Sequence, residues 1–222
     1  MVAIWSAENK IIAERRLWLA VLRAQRDLGL EVPEGAFAAY EAVIDDVNLG
    51  SIAARERVTR HDVKARIEEF NALAGYEQIH KGMTSRDLTE NIEQVQISDS
   101  LRLVRDRAVA VLAALGRRAA EFADLVMAGR SHNVPAQATT LGKRFASAAD
   151  EVLQAYLRIS DLLERYPLRG IKGPVGTSQD MLDLLGSAEA VAHLETAVAQ
   201  EISGSSRLLT SVGQVYPRSL DY

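Results

Sequence analysis

The chain has 222 residues, of which 48% are hydrophobic and 25% charged, with a formal net charge of −4. This composition fits one large or two small globular domains, and its mild acidity gives no basic footprint for a nucleic acid. The absence of cysteine excludes disulfides, thiolate nucleophiles and cysteine-bound zinc. Because the apolar runs fall short of the ~20 residues that a membrane span needs, and the charged first segment is unlike a signal peptide, we expect a cytoplasmic protein without a membrane or nucleic-acid partner.

Helical spacing of apolar residues dominates the first part of the chain. It predicts a helix over 8–28, one or two short helices over 34–56 that are broken near the sequence NLGS, and a helix from Asp62 that ends at Gly75. Only 5% of the residues are aromatic. This low aromatic content favours helices packed through small side chains over a β-sheet.

Longer helices are predicted in the second part of the chain. One opens at Thr84 or Ser85 and runs to about Met127, and another runs from about Leu141 to Tyr166. RGIKGPVGT is a glycine-rich turn, and 179–202 is helical with a break near 186–187. No segment indicates a strand, so the sequence predicts an all-α fold. We expect a small helical domain over 1–83 and, over 84–222, the first part of a bundle of long antiparallel helices.

Three of the four histidines lie beside breaks in this helical pattern, namely His61, His80 and His132, whereas His193 lies within a helix. Each of the three has a hydroxyl, an arginine or an amide nearby in the sequence. A capping role would explain any one of them alone. Their shared position at element boundaries makes them candidates for acid–base chemistry or ligand binding.

Two short motifs are suited to an anion. Thr84 and Ser85 offer hydroxyls at a predicted helix start, where free N–H groups and the helix dipole favour a carboxylate or phosphate. Arg60, His61 and Asp62 place a guanidinium, an imidazole and a carboxylate side by side; the arginine can bind an anion through two hydrogen bonds, and the aspartate can fix the tautomer of an imidazole. Ordinary helix capping is the alternative in both places.

Other chemistries lack their motifs. No HExxH sequence or paired histidines indicate a metal site, and no GxSxG sequence or strand indicates a serine hydrolase. Residue chemistry alone therefore leaves two possibilities open: an enzyme that acts on an anionic substrate through histidines and hydroxyls, and a helical interaction module.

The order TRHDV, HKGMTSRDLTEN, GRSHNVPAQATTLGKRFA and IKGPVGT resembles the fumarase/aspartase superfamily. AIWSAENK near the start and GQVYPRSLDY at the end are similar to its adenylosuccinate lyase branch. The resemblance implies a homotetramer with a central helical bundle and active sites shared by three subunits. It also implies elimination of fumarate from the nucleotide substrates adenylosuccinate and SAICAR, without a metal or organic cofactor.

The same resemblance assigns roles to particular residues. His132 is expected to be the general acid, and His80 to hold the substrate or assist the acid. The expected substrate-binding residues are Arg60, His61, Asp62, Thr84, Ser85, Asp87, Gln214 and Arg218.

Three features depart from the family pattern. Ala138 stands where a proline usually precedes the two threonines, and no arginine–tyrosine pair precedes MVAIW. The serine-rich SSxMPxKxN loop, which supplies the general base in the family, is absent from these 222 residues. We therefore expect the base to lie beyond Tyr222 and the 222-residue chain alone to be inactive.

Overall fold

The computed structural model describes residues 1–204. The elements that precede residue 75 are all helices: α1 (Val2–Trp5), α2 (Ala7–Asp27), α3 (Ala36–Ala42), α4 (Leu49–Thr59) and α5 (Asp62–Ala74). The later elements include one pair of strands, and in chain order they are α6 (Ser85–Glu121), β1 (Val126–Ser131), β2 (Val134–Thr140), α7 (Leu141–Arg165), α8 (Gln179–Leu185) and α9 (Ala188–Ser203). Within residues 1–204 no helix has the length and apolar character needed to cross a membrane.

Side-chain and glycine caps set several helix boundaries. The Asn48 side chain accepts a hydrogen bond from the Ser51 N–H at 2.9 Å and begins α4. The Ser187 hydroxyl does the same for α9 through the Ala190 N–H at 3.1 Å. Gly75 ends α5 with a left-handed φ of 72°, a conformation that glycine adopts without steric cost.

The described chain forms two compact units. Of the described residues, unit 1 contains 1–97 and 166–204, and unit 2 contains Ser98–Arg165. The first turns of α6 thus belong to unit 1 and the rest of this helix to unit 2. The division between residues 83 and 84 stays a prediction.

Unit 1 is organised around α2. Leu17, Trp18 and Leu22 on this helix are almost fully buried, and α9 packs against α2 with Leu194 and Val198 in the same core. Each fully buried leucine contributes about 1.5–3 kcal/mol relative to an exposed one. The same core includes Phe70 of α5, Met83 of the segment between α5 and α6, and Leu88 of α6.

Unit 2 contains an antiparallel hairpin between two long helices. Strand β1 pairs with β2 from Val126↔Thr140 to Ser131↔Val134, with an irregularity at Gly129/Arg130. The next helix, α7, begins against the end of α6, where the Gly142 N–H donates to the Phe122 carbonyl at 2.8 Å. A Cβ on Gly142 would lie 2.7 Å from that carbonyl oxygen, so this close approach requires glycine.

The predicted mostly helical fold is confirmed, with two corrections. The expectation of no strand is wrong, because residues 126–140 form a hairpin. Helix α6 ends at Glu121 rather than near Met127, since the chain leaves the helix before it enters β1. The predicted break near the sequence NLGS is confirmed: α3 ends at Ala42, and Asn48 caps the start of α4.

Candidate active site

His61 joins the starts of α5 and α6. It is the N-cap of α5, and its Nδ1 accepts a hydrogen bond from the Lys64 N–H at 3.3 Å. Its Nε2 lies 3.3 Å from Ser85 Oγ. Because Nδ1 is an acceptor, the neutral ring carries its proton on Nε2 and donates to the serine hydroxyl. This contact connects the imidazole of one predicted motif with a hydroxyl of the other.

Asp87, the third residue of α6, caps the start of this helix. The Thr84 N–H donates to Asp87 Oδ2 at 2.9 Å, and the Asp87 N–H donates to the Thr84 carbonyl at 3.0 Å. This is half of a capping box, in which a carboxylate in the first turn binds back to the residue before the helix. Neither the Thr84 nor the Ser85 hydroxyl takes part in these two bonds.

Asp87 is fully buried beneath this helix start. Its Oδ1 accepts from Arg169 Nε at 3.2 Å and from the Lys172 N–H at 2.9 Å, and the Gly173 N–H lies within 3.2 Å of both carboxylate oxygens. Burial raises the pKa of the Asp87 carboxyl, while the N–H donors and the guanidinium act in the opposite direction. The contacts make Asp87 an anchor for the loop at 169–173, and its role as a substrate ligand stays a prediction.

The same loop is held by further buried polar groups. Arg169 Nη1 binds Glu90 Oε2 at 2.8 Å, and the Asn91 side chain exchanges two hydrogen bonds with the backbone of Gly170, at 2.9 and 3.0 Å. Gly170 has a φ of +81°, and a Cβ there would collide with the Glu195 carboxylate. The glycine-rich sequence RGIKG thus forms an ordered loop because buried side chains from α6 bind its backbone.

Asp62 connects the site to the core of unit 1. Arg66 donates through Nη2 to Asp62 Oδ2 at 3.0 Å and through Nη1 to Glu14 Oε1 at 2.8 Å. Asp62 Oδ1 is 3.6 Å from His61 Nδ1, which is too long for a hydrogen bond. The His61 tautomer is therefore set by the Lys64 N–H and not, as the sequence suggested, by Asp62.

Glu14 is a buried carboxyl with incomplete hydrogen bonding. Its side chain is 0% exposed, and within the described chain its Oε2 is buried without a hydrogen-bond partner. Burial raises the pKa of Glu14 to about 7, although Arg66 and Lys10 act against this rise. The folded protein therefore keeps a proton on Glu14 at pH values where the unfolded chain has lost it.

This difference predicts a pH-dependent effect of Glu14→Gln. From about pH 4.5 to about pH 7, only the unfolded state loses the Glu14 proton, so rising pH favours unfolding. We expect the free energy of unfolding of the wild type, relative to the variant, to fall by up to about 3 kcal/mol across this range. Urea unfolding at several pH values measures the change.

The matched control is Glu31→Gln, because Glu31 is exposed. Its stability difference from the wild type should vary by less than about 0.5 kcal/mol over the same range. Parallel curves for the wild type and Glu14→Gln would show that Glu14 titrates in the folded protein as it does in the unfolded chain.

His80 lies in the loop between α5 and α6 with a left-handed φ of 69°. Its Nδ1 accepts a hydrogen bond from Trp18 Nε1 at 2.9 Å. Burial, followed by the charge of His61, lowers the pKa of His80 to about 4. The ring is therefore neutral at pH 7, which suits a hydrogen-bond donor to substrate better than a source of protons.

His132 belongs to unit 2 and lies in the turn of the β1–β2 hairpin. His132 and Asn133 have φ angles of 50° and 63°, as the two central residues of a tight hairpin turn require. Arg130 Nη1 donates to the Asn133 carbonyl at 2.8 Å and braces the turn. His132 is exposed, so its imidazole is accessible to a ligand.

The threonines after the hairpin also have defined positions. Thr140 Oγ1 accepts from the Lys143 N–H at 3.1 Å, so this residue caps α7, as TTLGK suggested. Ala138, at the position where the family usually has proline, pairs with Ala128 across the hairpin.

The structure brings together His61, Asp62, Thr84, Ser85 and Asp87 at the adjoining starts of α5 and α6. Arg60 precedes this group as the exposed, left-handed C-cap of α4, with a φ of 55°. Gln214 and Arg218 lie outside the described residues. Within residues 1–204, no three histidine or acidic side chains lie together as metal ligands would.

Sequence reasoning missed Trp18, Arg66 and Arg169, which contact the predicted site residues. Trp18 and Arg66 lie within helices, where one sequence cannot tell a packing residue from a hydrogen-bonding one. Arg169 opens a glycine-rich turn, and its buried partners lie 79 and 82 positions earlier in the chain. A buried indole N–H usually finds a hydrogen-bond partner, and this rule is the signal that could have pointed to a contact for Trp18.

A family model described as lyase matches residues 3–206. The chain belongs to this lyase family, which confirms the resemblance to the fumarase/aspartase superfamily.

Adenylosuccinate lyases are among its curated relatives. The protein of that name from Saccharomyces cerevisiae (strain S288c) is 34% identical over 229 residues, and the one from Schistosoma mansoni is 30% identical over 226 residues. Each match covers 100% of this chain and 47% of the relative. The chain thus spans about half the length of the curated relatives it matches.

A solved structure shares the fold. The 3-carboxy-cis,cis-muconate lactonizing enzyme from Pseudomonas putida superposes with a TM-score of 0.78 at 23% identity, over 93% of this chain and 47% of that one.

Proposed function

We propose that this chain is part of an adenylosuccinate lyase of purine nucleotide biosynthesis. The enzyme would eliminate fumarate from adenylosuccinate to give AMP, and from SAICAR to give AICAR. The observation that carries the proposal is the similarity of the whole chain to adenylosuccinate lyases, together with the contact between His61 and Ser85 that joins two of the family motifs.

The geometry around α6 fits the first half of such an elimination. Removal of the proton next to a carboxylate places extra negative charge on that carboxylate, and donors already in position stabilise it. The hydroxyls of Thr84 and Ser85 at the start of α6 are assigned this task. Ser85 is oriented by His61, and His80, which is neutral at pH 7, adds a donor.

Departure of the substrate nitrogen requires a general acid. A neutral His80 with a pKa of about 4 is poorly suited to supply this proton near pH 7. His132, exposed on its hairpin turn, is assigned the role of general acid.

Binding and positioning of the nucleotide part of the substrate are assigned to Arg60, His61 and Asp62. Asp87 supports the site from beneath. Gln214 and Arg218 remain proposed substrate contacts.

The homotetramer with shared sites is also a proposal. Unit 2 exposes apolar side chains on both of its helices: Val109 and Val111 on α6 are 49% and 46% exposed, and Leu153 and Leu157 on α7 are 39% and 49% exposed. Leu153 and Leu157 are one helical turn apart and share a face. Exposed apolar surface of this kind supports association between copies.

Fumarate release from adenylosuccinate tests the function. We expect the 222-residue chain to show no enzyme-like rate, because the proposed general base lies outside these residues, and the complete gene product to release fumarate and AMP in equal amounts. Enzyme-like turnover by the 222-residue chain alone would show that the base is wrongly placed. A folded gene product that is inactive on both nucleotides would contradict the proposal.

A second function within the superfamily remains as an alternative, because the same fold occurs in a lactonizing enzyme and fold alone does not select the chemistry. A sibling lyase or a cycloisomerase would act on a substrate without a nucleotide and would be insensitive to competition by AMP. A non-catalytic helical scaffold would release no fumarate from any succinyl compound.

A further inference from the structure

The contact between Trp18 and His80 has a property that matters for a binding site: only one of its partners can change its protonation state. The indole Nε1 of Trp18 lies 2.9 Å from His80 Nδ1, and the two rings meet edge to face with centroids 5.9 Å apart at 81°. An indole nitrogen donates a hydrogen bond and cannot accept one. The contact therefore requires a His80 Nδ1 that carries no proton.

Trp18 is held firmly enough to impose this requirement. Its side chain is 0% exposed, and its ring stacks on Phe70 with centroids 6.2 Å apart and an interplanar angle of 25°. Close-packed aromatic rings in a core keep a fixed orientation. The indole N–H is thus a fixed donor, supplied by the core of unit 1 to the loop that carries His80.

We propose that Trp18 is a positioning residue that holds His80 as the neutral tautomer with its proton on Nε2, so that this nitrogen donates a hydrogen bond to an anionic oxygen of the substrate. The proposal rests on the proposed function and assigns the opposite ends of one ring: Nδ1 to the protein core, Nε2 to the ligand. The other tautomer would place two N–H groups against each other at Nδ1 and turn an acceptor lone pair toward the anion.

The burial of His80 agrees with this assignment. The lowered pKa, about 4, keeps the ring neutral across the physiological range. A neutral imidazole has one donor and one acceptor, so fixing the acceptor fixes the donor. Trp18 thereby determines that Nε2 of His80 is the nitrogen that donates, although Trp18 itself does not touch the substrate.

The first test is made on the wild-type 222-residue chain by NMR with 15N-labelled histidine at pH 7. The chain has four histidines, and the His80 signals are identified from the spectrum of His80→Asn. We expect an unprotonated Nδ1, a protonated Nε2, and a coupling across the hydrogen bond from the Trp18 indole. A proton on Nδ1 overturns the proposal, whatever any variant does.

The second test replaces Trp18→Phe in the complete gene product, which keeps an aromatic ring and removes the donor. Loss of one hydrogen bond in substrate binding predicts a KM for adenylosuccinate about 10-fold higher, with kcat within about 2-fold because uniform binding is lost. Trp5→Phe is the matched control, because Trp5 lies in α1 and is 48% exposed. A folded Trp18→Phe protein with unchanged KM and unchanged His80 tautomer overturns the proposal.

Fumarate and AMP, the two products, identify the oxygen that His80 binds. Weaker inhibition of Trp18→Phe by fumarate assigns the donor to a carboxylate, and weaker inhibition by AMP assigns it to the phosphate; unchanged inhibition by both counts against the proposal. If Trp18→Phe does not fold, the wild-type NMR spectrum still shows whether His80 carries its proton on Nε2, and so tests the proposal. If the wild-type gene product releases no fumarate, the proposed function fails while the spectrum still tests the Trp18–His80 assignment.

Discussion

Replacement of His132 by asparagine in the complete gene product is expected to lower kcat for fumarate release by about 10²–10⁴-fold, the usual contribution of a general acid. Asparagine cannot deliver a proton, but it tolerates the left-handed conformation that His132 adopts with a φ of 50°. The hairpin should therefore persist, and circular dichroism should match that of the wild type. Steady-state kinetics at several pH values measure the loss.

Asn133→Gly is the matched control for this experiment. Asn133 occupies the neighbouring turn position with a φ of 63°, which glycine adopts readily. This variant should keep kcat within a few-fold of the wild type, because it alters the turn without removing an imidazole. Near-normal turnover in His132→Asn would remove His132 from the acid role, and equal losses in both variants would mean that hairpin geometry and not proton transfer matters.

Replacement of Asp87 by alanine is expected to have the largest effect on stability. The change removes a carboxylate partner from Arg169, which is 2% exposed and also binds Glu90. It also removes the acceptor of the Lys172 and Gly173 N–H groups. Removing one partner of a buried ion pair costs about 3–5 kcal/mol. Urea unfolding of the 222-residue chain measures the free energy of unfolding.

Asp27→Ala is the control, because Asp27 is 60% exposed in its pair with Arg26. We expect a change within about 1 kcal/mol for this surface pair. The comparison also tests the role of Asp87: a stable Asp87→Ala protein with a raised KM would mean that the carboxylate binds substrate and does not anchor the loop.

Local chemistry accounts for the parts of the fold that the sequence predicted. The glycine at 75 and the serine at 187 act on their own helix ends, so the information needed lies within a few residues. The hairpin was missed because its signal is weak. Its turn is His132–Asn133 rather than a pair with glycine, and β2 contains Pro135, which is uncommon in a strand.

For the candidate site as well, the sequence predicted what depends on local chemistry and missed what depends on packing. Hydroxyls at a helix start and histidines at breaks were visible in the sequence, and the resemblance gave them roles. Which group each one contacts depends on packing: Ser85 meets a ring 24 positions earlier, and His80 meets an indole 62 positions earlier. One sequence carries no signal for such pairings, because any buried polar residue could satisfy the same atoms.

The discontinuity of unit 1 has a consequence for biosynthesis. A ribosome makes the chain from its amino terminus, so it must complete Ser98–Arg165 before Arg169 and Gly170 emerge. Until then Asp87 and Glu90 lack the Arg169 guanidinium, and Asn91 lacks the loop that it binds. In the nascent chain, the face of α6 that carries Asp87, Glu90 and Asn91 is therefore exposed and acidic. That helix face is covered only when the loop at 169–173 has been made and packs on it. The face is therefore available to chaperones and proteases throughout the synthesis of unit 2.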